Sequence, residues 1–267
     1  IRDLVRSRGL GDVYKRQVYS CERNFSFSFL DALAAAPPNM IAILLPTGEF
    51  PGKDSIEFYN VDLQDYERLM PAIEDSNYEC VIHFAGLKSV PESIEFPDRY
   101  WDINVNGTLN LLNSIVNKNS NPNLKFINVS TNKVYGDNPK KLKIYDKKTR
   151  WELKKTDKFY KGIKENFPID NATHSFFGVS KTYADLIVQE YGKNVGLKTA
   201  CFRAGCITGP NHSGAKLHGF LSYLVKTCVQ KKKYTLIGYK GKQVRDNIHS
   251  HDLVSCFWEY YKKPRSG

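Results

Sequence analysis

The sequence lacks any apolar run long enough to cross a membrane. About 20 consecutive apolar residues are needed for a span, and the best stretch here, Met40–Leu45, has the length of a strand. The six cysteines are scattered, with no C-x-x-C pair and no histidine at ligand spacing, which excludes the usual zinc patterns. We therefore expect no membrane span, no metal site, and reduced core thiols in a cytoplasmic protein.

A glycine-rich turn is also missing from the first 53 residues. Their only glycines are Gly9, Gly11, Gly48 and Gly52. None of these follows a convincing strand at the G-x-x-G-x-x-G spacing, which lets the backbone approach a pyrophosphate at a helix N-terminus. Residues 1–17 show neither helical nor strand periodicity. We therefore predict that residues 1–36 are a non-native or disordered leader.

The formal net charge of +11 is confined to two segments. Residues 1–17 hold five Lys/Arg against two Asp and so carry +3. Residues 140–164 hold eleven Lys/Arg against three acids and so carry +8. The charges of the remaining residues sum to zero. A nucleic-acid-binding fold needs a basic face built into its surface, whereas this charge lies mainly in one insertion. The sequence therefore favours a solvated, lysine-rich loop at 140–164 and no nucleic-acid partner.

Short β-rich runs alternate with helical stretches from about residue 40 onward. The predicted strands are Met40–Leu45, Ile56–Val61, Cys80–Phe84, Lys125–Val129, Thr199–Phe202 and Tyr234–Ile237. The predicted helices are Leu63–Ile73, Pro97–Val116, Ser175–Val195, Ala215–Val229 and His251–Tyr261. This alternation predicts an α/β fold of the Rossmann type, a doubly wound parallel sheet with helices on both faces.

Small and polar residues follow several of the predicted strands, at the ends where an open parallel sheet binds its ligands. The segments at those ends are Asp62-Leu63, His83 to Gly86, Ser130 to Asn132 and Gly205 to Pro210. Small residues such as Ala85 and Gly86 let a ligand approach the backbone closely. The hydroxyls of Ser130 and Thr131 can hydrogen-bond a sugar oxygen. The residues alone therefore predict a binding site at this edge of the sheet.

In order and spacing, these motifs resemble the sugar-nucleotide epimerases of the extended short-chain dehydrogenase/reductase superfamily. Residues 55–115, with VDL, HFAGLKSVPESIEFP and NVNGTLNLL, resemble UDP-galactose 4-epimerase. Residues 126–267, with STNKVYGDNP, SKTYADLIVQEYG, TACFRAGCITGP and YKGKQVRDNIHSHDLV, resemble the CDP-paratose 2-epimerase-like group. The resemblance implies NAD as the cofactor, a CDP- or UDP-sugar as the substrate, and a homodimer.

The resemblance also implies roles for individual residues. The residues that would contact NAD are Asp62, Phe84, Ala85, Gly86, Lys88, Ser130 and Lys181. The residues that would contact the sugar nucleotide are Thr131, Asn132 and Arg245. Asn104 would tie neighbouring strands together. Thr131 and Lys181 would be catalytic: the threonine would hydrogen-bond the hydroxyl being oxidised, and the lysine belongs to a Tyr-x-x-x-Lys pair. The planar guanidinium of Arg245 suits bidentate binding of a diphosphate.

One departure from the family pattern concerns the general base. The string HSFFGVSK places Phe177 where the family has a tyrosine four residues before Lys181. Phenylalanine can neither give nor take a proton. The alternative bases are His174, Tyr135, and Lys181 itself if it is desolvated. Independently, the missing glycine-rich turn predicts that NAD binds weakly.

The predicted organisation has three parts. Residues 1–36 are the leader, residues 37–210 an NAD-binding Rossmann-type domain that is incomplete at its N-terminus, and residues 211–267 an incomplete C-terminal part of the substrate-binding domain. The leading hypothesis is NAD-dependent epimerisation of a nucleotide-diphosphate sugar through a keto sugar. The alternatives are a catalytically silent remnant that binds sugar nucleotide or NAD, and a sugar-nucleotide dehydratase. The dehydratase is disfavoured because Asn132-Lys133 stands where an Asp-Glu pair is needed.

Overall fold

The computed structural model describes residues 18–21, 41–44, 56–59, 61–74, 79–118, 121–209, 212, 219–236 and 238–264. Within these ranges a six-stranded sheet is covered by helices on both faces, and two small two-stranded sheets lie beside it. This is the α/β architecture that the alternation of apolar runs predicts. None of the described helices combines the length and the apolar character needed to cross a membrane.

The central sheet has the strand order β3-β1-β2-β4-β5-β8. In chain order the strands are β1 Val18–Cys21, β2 Ile41–Leu44, β3 Ile56–Tyr59, β4 Cys80–His83, β5 Lys125–Val129, β6 Ile144–Asp146, β7 Trp151–Leu153, β8 Lys198–Phe202, β9 Cys206–Thr208 and β10 Asn247–His249. All four residues of β4 are buried, as expected of a strand covered on both faces. The small sheets pair β6 with β7 and β9 with β10.

Strand directions differ between the two sides of the central sheet. β4, β5 and β8 are parallel, whereas β2 is antiparallel to β4, β3 is antiparallel to β1, and β1 is parallel to β2. It follows that β3 runs in the same direction as β4, and that β1 and β2 run against them. An apolar run predicts a strand but carries no information about its direction, so these reversals lay beyond the sequence argument.

The predicted leader, residues 1–36, contains β1, which lies inside the central sheet. The rest of that range lies outside the described residues. The same holds for all four glycines of the first 53 residues, so the predicted lack of a phosphate-binding turn concerns a part of the chain that the structure does not describe. The boundaries of the three predicted parts remain predictions.

The helices fall into two layers. They are α1 Tyr66–Glu74, α2 Val90–Glu95, α3 (Pro97–Trp101, a π-helical turn Asp102–Asn106, and Gly107–Lys118), α4 Phe176–Glu190 with a final π-helical turn Tyr191–Val195, α5 Phe220–Val229 and α6 Ser250–Lys262. On one face α1, α3 and α4 bury a core that includes Leu69, Leu111 and Val188. On the other face α6 packs Leu253 and Phe257 against β4 and β5.

The basic segment 140–164 has two different halves. Its first half contains the exposed β6–β7 hairpin. Its second half is anchored by Phe159, which is buried together with Phe167, Val134 and Tyr135 in a small aromatic core. The predicted solvated loop therefore describes the surface of this segment but misses its apolar anchor.

Two smaller expectations need correction. Tyr234–Ile237 was predicted as a strand, but Tyr234 to Leu236 pair with no strand among the described residues, and Leu236 is 61% exposed. The cysteines were expected mostly in the core; of the five whose side chains are described, Cys80 is buried, whereas Cys228 and Cys256 are exposed. Apolar character alone did not distinguish a buried from an exposed position in either case.

Candidate active site

The carboxyl ends of β3, β4, β5 and β8 meet at one edge of the central sheet, because these four strands run in the same direction. Most of the predicted site residues lie in the loops that follow β3, β4 and β5. Helix α4 packs against the turn Asn132–Tyr135 that follows β5 and against the π-helical turn of α3. The candidate site therefore lies where three loops and the start of α4 come together.

Asn104 holds the loop after β4 in place. Its side-chain oxygen accepts a hydrogen bond from Leu87 N at 2.7 Å, and its amide donates to Leu87 O at 3.1 Å and to Ser180 Oγ on α4 at 2.9 Å. The backbone at Gly86 has φ +147°, and a methyl group there would lie 2.8 Å from Asn104 Oδ1. Only glycine fits this position without strain, so the loop, α3 and α4 are joined through one buried amide.

Lys181 lies on the buried side of α4 and is 7% exposed. A methyl group at Gly86 would lie 3.3 Å from its Nζ, which places the ammonium beside the glycine loop. Burial lowers the pKa of Lys181 to about 8, although the charge of Asp185 acts in the opposite direction. No carboxylate of the described residues forms an ion pair with it. A buried amine of this kind can exchange a proton near neutral pH.

Phe177 lies one helical turn before Lys181 and is also buried. Its ring packs with Leu87, Ile103 and Tyr100, the last in an edge-to-face contact with ring centroids 6.4 Å apart. The residue at the family's tyrosine position is thus part of the core beside the glycine loop, and it supplies no hydroxyl to Lys181.

Asp185, one turn after Lys181, is the centre of a network that the sequence reasoning missed. Arg203 contacts both carboxylate oxygens, at 3.0 and 2.7 Å, and Ser130 Oγ donates to Oδ2 at 2.6 Å. Gln189 donates to Oδ1 at 2.8 Å. Arg203 also donates to Tyr135 Oη at 3.1 Å. A carboxylate on a helix and an arginine 18 residues later, just after a strand, carry no local sequence signal, so only the fold reveals the pair.

The residues after β5 have different surroundings. Ser130, predicted to contact NAD, commits its hydroxyl to Asp185. Thr131 Oγ1 accepts a hydrogen bond from Lys133 N at 3.3 Å and is partly exposed, which leaves its hydroxyl hydrogen to donate. Asn132 is fixed through its backbone, which donates to Ala204 O. Thr131 is therefore the hydroxyl at this strand end that can still donate to a ligand.

Two of the alternative bases are occupied. His174 Nε2 lies 2.9 Å from Val134 O and its Nδ1 lies 3.2 Å from Ala172 O, so both ring nitrogens face carbonyl acceptors. Tyr135 is buried, and its hydroxyl accepts the hydrogen bond from Arg203. His174 thus has both nitrogens committed and Tyr135 is buried against Arg203, which favours Lys181 among the three candidates.

The other predicted residues are spread along the edge of the sheet. Asp62 Oδ1 accepts from Gln64 N at 2.7 Å in the turn that leads to α1. The ring of Phe84 packs on Phe257 and Ala85 is buried in the opposite core, so this segment can offer a ligand mainly its backbone. Lys88 and Arg245 are both exposed.

His83 is a buried residue of β4 to which the sequence motifs assign no role of its own. Its Nε2 lies 2.9 Å from Thr108 Oγ1, and because that hydroxyl donates to Asn104 O, the histidine must be the donor. Burial, and secondarily the charge of Lys181, lowers the pKa of His83 to about 3, so the ring is neutral.

The chemistry of this edge fits a phosphate- and ribose-bearing cofactor such as NAD. Lys88 and Lys181 supply ammonium groups, Thr131 supplies a hydroxyl, and the glycine loop supplies backbone that Asn104 keeps fixed. Cations and hydroxyls are the groups that phosphates and sugar hydroxyls bind. The residues that would hold the cofactor are therefore present on this side of the site.

The model of the family described as NAD dependent epimerase/dehydratase family matches residues 28–267. A curated CDP-paratose 2-epimerase of Salmonella typhi is 32% identical over 209 residues, which is 76% of this chain and 59% of that relative. The chain thus spans about three fifths of the length of the curated relative.

Similar folds occur in solved structures of both epimerases and dehydratases. UDP-glucose 4-epimerase of Thermus thermophilus in complex with NAD has a TM-score of 0.61 at 21% identity, covering 91% of this chain and 74% of that one. dTDP-glucose 4,6-dehydratase of Bacillus anthracis in complex with NAD has a TM-score of 0.59 at 24% identity, covering 93% and 72%. The family match and the curated relative together show that this chain belongs to the NAD-dependent epimerase/dehydratase family.

Proposed function

We propose that this protein epimerises a nucleotide-diphosphate sugar, of the CDP- or UDP-sugar class, by transient oxidation of one ring carbon to a ketone. NAD, the cofactor of the family, supplies the hydride acceptor and donor when it is bound. The observation that carries the proposal is a buried lysine without a carboxylate partner beside the glycine loop. The similarity to a CDP-paratose 2-epimerase and a UDP-glucose 4-epimerase supports the substrate class.

Lys181 is proposed as the group that takes and returns the proton of the sugar hydroxyl. With a pKa of about 8, a fraction of the amine is neutral at pH 7 and most of it is neutral at pH 9. The neutral amine accepts the hydroxyl proton as the ring carbon is oxidised, and the ammonium returns it after hydride re-enters from the opposite face. A general base whose pKa lies near the working pH is the efficient kind.

Thr131 and Arg245 are proposed to position the substrate. The Thr131 hydroxyl, whose oxygen already accepts from Lys133 N, donates to the sugar oxygen that reacts. Arg245 is exposed, and none of the described carboxylates forms an ion pair with its guanidinium, so it can bind a diphosphate bidentately. Asp62 and Lys88 are proposed to contact NAD, and Asn104 to position the loop that would lie against it.

Two alternatives remain. A dehydratase has structural support from the similar dehydratase fold, but Asn132 and Lys133 offer no acid/base pair beside Thr131. A silent binding protein has support from Phe177, which removes the family's phenol. The experiment below separates these from an epimerase that works through Lys181.

The assembly is proposed to be a homodimer built on α3 and α4. These helices and the segment before α3 expose large apolar side chains, among them Ile94 at 64%, Phe176 at 54% and Phe96 at 47%. Trp101 on α3 and Tyr183 on α4 are in ring contact on the same side. Exposed apolar patches of this kind mark protein interfaces.

The test compares two added hydroxyl groups on α4. Phe177→Tyr places a phenol one turn before Lys181, whereas Phe176→Tyr places it on the exposed face as a matched control. A positioned general base is worth roughly 100- to 10,000-fold, so Phe177→Tyr should raise turnover of CDP- or UDP-sugars most strongly at pH 7, where Lys181 is mainly protonated. Phe176→Tyr should change it little.

The wild-type pH profile and Lys181→Met complete the experiment. Isotope exchange at the sugar carbon, followed from pH 6.5 to 9.5, should rise through about pH 8 and should be lost in Lys181→Met. A flat profile, or full turnover in Lys181→Met, would show that another residue moves the proton. Absence of turnover in wild type and in Phe177→Tyr would favour the silent binder.

A further inference from the structure

The two halves of the basic segment differ in how their charges are neutralised. On the β6–β7 hairpin, Lys147 and Arg150 both pair with Glu152, while Asp146 binds Lys240 and Lys242. After the hairpin, Asp157 accepts hydrogen bonds from Phe159 N and Lys143 N, which lower its pKa. The acids of the segment are thus already engaged, whereas the lysines of its second half form no ion pair with a described carboxylate; Lys158 lies over the Phe159 ring at 4.9 Å.

The lysines of the second half line a groove. Lys155, Lys158, Lys161 and Lys164 line a cavity of about 470 Å³, together with Asp157, Tyr160 and Glu165. We call this cavity the lysine groove. None of the four lysines forms an ion pair with any carboxylate of the described residues. The four side chains belong to the turns that follow β7, and all of them line the same cavity.

The lysine groove is built on a fixed base. Hydrogen bonds from Asp157 N to Lys154 O, from Tyr160 N to Asp157 O and from Gly162 N to Phe159 O close its turns. Phe159 and Phe167 anchor it from below with ring centroids 4.8 Å apart. At its end, Glu165 O accepts a hydrogen bond from Arg203 at 2.9 Å. A loop held in this way keeps its charges close before any ligand arrives, which reduces the entropy lost on binding.

We propose that the lysine groove is a second anion site, which binds a small molecule carrying two or more phosphate groups. Four ammonium groups against two carboxylates leave an excess of positive charge for such an anion, and lysine binds phosphate as a point charge without strict geometry. The volume falls within the range of small-molecule sites, roughly 300–1,000 Å³. Tyr160, 41% exposed at the groove, offers a ring face to a base or sugar.

A small ligand is favoured over a nucleic acid because the charge is local. A specific protein–DNA interface buries on the order of 1,000 Å² or more of protein surface. Here the net positive charge is confined to residues 1–17 and 140–164, and the remainder of the chain has no net charge.

The test removes equal charge from the two halves. Inorganic pyrophosphate would be titrated by calorimetry at low ionic strength into wild type, Lys158→Gln/Lys161→Gln, and the hairpin control Lys147→Gln/Lys148→Gln. A hydrogen bond to a charged group is worth a factor of about ten or more, so the groove variant should bind about tenfold more weakly. The control should differ from wild type by less than about twofold, since it changes only the screened distant field.

Lysine acetylation followed by peptide mass spectrometry localises the site. Pyrophosphate should protect the four groove lysines from acetylation and leave Lys148 reactive. The same protection is expected in wild type and in Arg245→Gln. UDP tested in parallel shows whether a nucleotide binds in the same place. Three results would each overturn the lysine groove as a site separate from the candidate active site. They are equal weakening of pyrophosphate binding in both double variants, no protection of the groove lysines at millimolar pyrophosphate, and loss of that protection in Arg245→Gln. If a single-stranded oligonucleotide bound more tightly than pyrophosphate, and both double variants reduced that binding equally, the segment would be a nucleic-acid-binding surface instead of a small-molecule site.

Discussion

Lys181 and Asp185 lie one turn apart on the buried side of α4, yet the protein treats their charges in opposite ways. Asp185 has hydrogen bonds from Ser130 and Gln189 and two from Arg203. Lys181 has no ion-pair partner among the described carboxylates, and burial lowers its pKa to about 8. Asp185 is therefore a fixed structural charge, whereas Lys181 can change its protonation state near pH 8.

The energetic reason is desolvation. A buried ion costs several kcal/mol unless partners replace its lost water, and Asp185 is 1% exposed with its oxygens almost fully engaged. Lys181 lacks such compensation, so folding lowers its pKa and makes the neutral form accessible near pH 8. Positions where a sequence keeps an uncompensated ionisable group are candidates for function, and three variants test this distinction.

The largest effect is expected for Arg203→Met, which leaves the Asp185 carboxylate buried without its cation. Removing one partner of a buried ion pair typically costs about 3–5 kcal/mol, so the free energy of unfolding from urea titration should fall by that order. The control is Lys193→Met, which breaks the exposed pair with Glu190 and should cost about 0–1 kcal/mol. A similar small loss for both variants would show that Asp185 is not dependent on Arg203.

A smaller effect of opposite sign is expected for Lys181→Met. The pKa of Lys181 is about 8 in the folded protein against its ordinary value of 10.5, so below pH 8 folding carries a penalty that disappears as the pH rises to 10.5. Removing the amine should therefore stabilise the protein at pH 7 by up to about 3 kcal/mol, and the gain should vanish above about pH 10.5. Urea titrations at pH 7 and pH 10.5 measure it.

The exposed Lys133 provides the matched control for that experiment. Lys133→Met should show no such dependence on pH. Destabilisation by Lys181→Met at pH 7 would mean that the lysine has partners in solution that offset its burial, and the contrast with Asp185 would then disappear.

The smallest of the three effects is expected for Ser130→Ala. It removes one of the four hydrogen bonds to the Asp185 carboxylate, worth about 2 kcal/mol for a charged acceptor. The control is Ser114→Ala, which removes a buried hydroxyl bonded only to a carbonyl, Asn110 O, and should cost about 1 kcal/mol. A large loss of NAD affinity in Ser130→Ala, with unchanged stability, would return this serine to the cofactor role that its motif implies.

The sequence predicted the strands and helices of this fold well where apolar runs were continuous. β4, β5 and β8 and the helices α3 and α4 lie within a residue or two of their predicted bounds. Strand direction was not predictable, because an apolar run looks the same when it is reversed. The supposed strand at Tyr234 failed because its residues remain exposed, and exposure depends on neighbours that are distant in the chain.

The residues of the candidate site were also predictable from the sequence only in part. Gly86, Thr131 and Lys181 follow from local motifs and lie at one edge of the sheet or on the helix beside it. The partnership of Asp185 with Arg203, and the occupation of His174 by carbonyl groups, depend on tertiary contacts. A sequence shows which groups can do chemistry, but the hydrogen bonds of the fold determine which of them remain available.

The π-helical turn Asp102–Asn106 has a consequence for how α3 tolerates change. The wider turn accommodates an additional residue, so the helix before it and the helix after it present their buried sides with different rotational phases. A single helical wheel drawn over residues 97–118 therefore misassigns one end. A deletion of one residue within this turn would restore an ordinary helix but rotate Asn104 away from Leu87 or Leu111 away from the core. The length of α3 is thus fixed to the single residue.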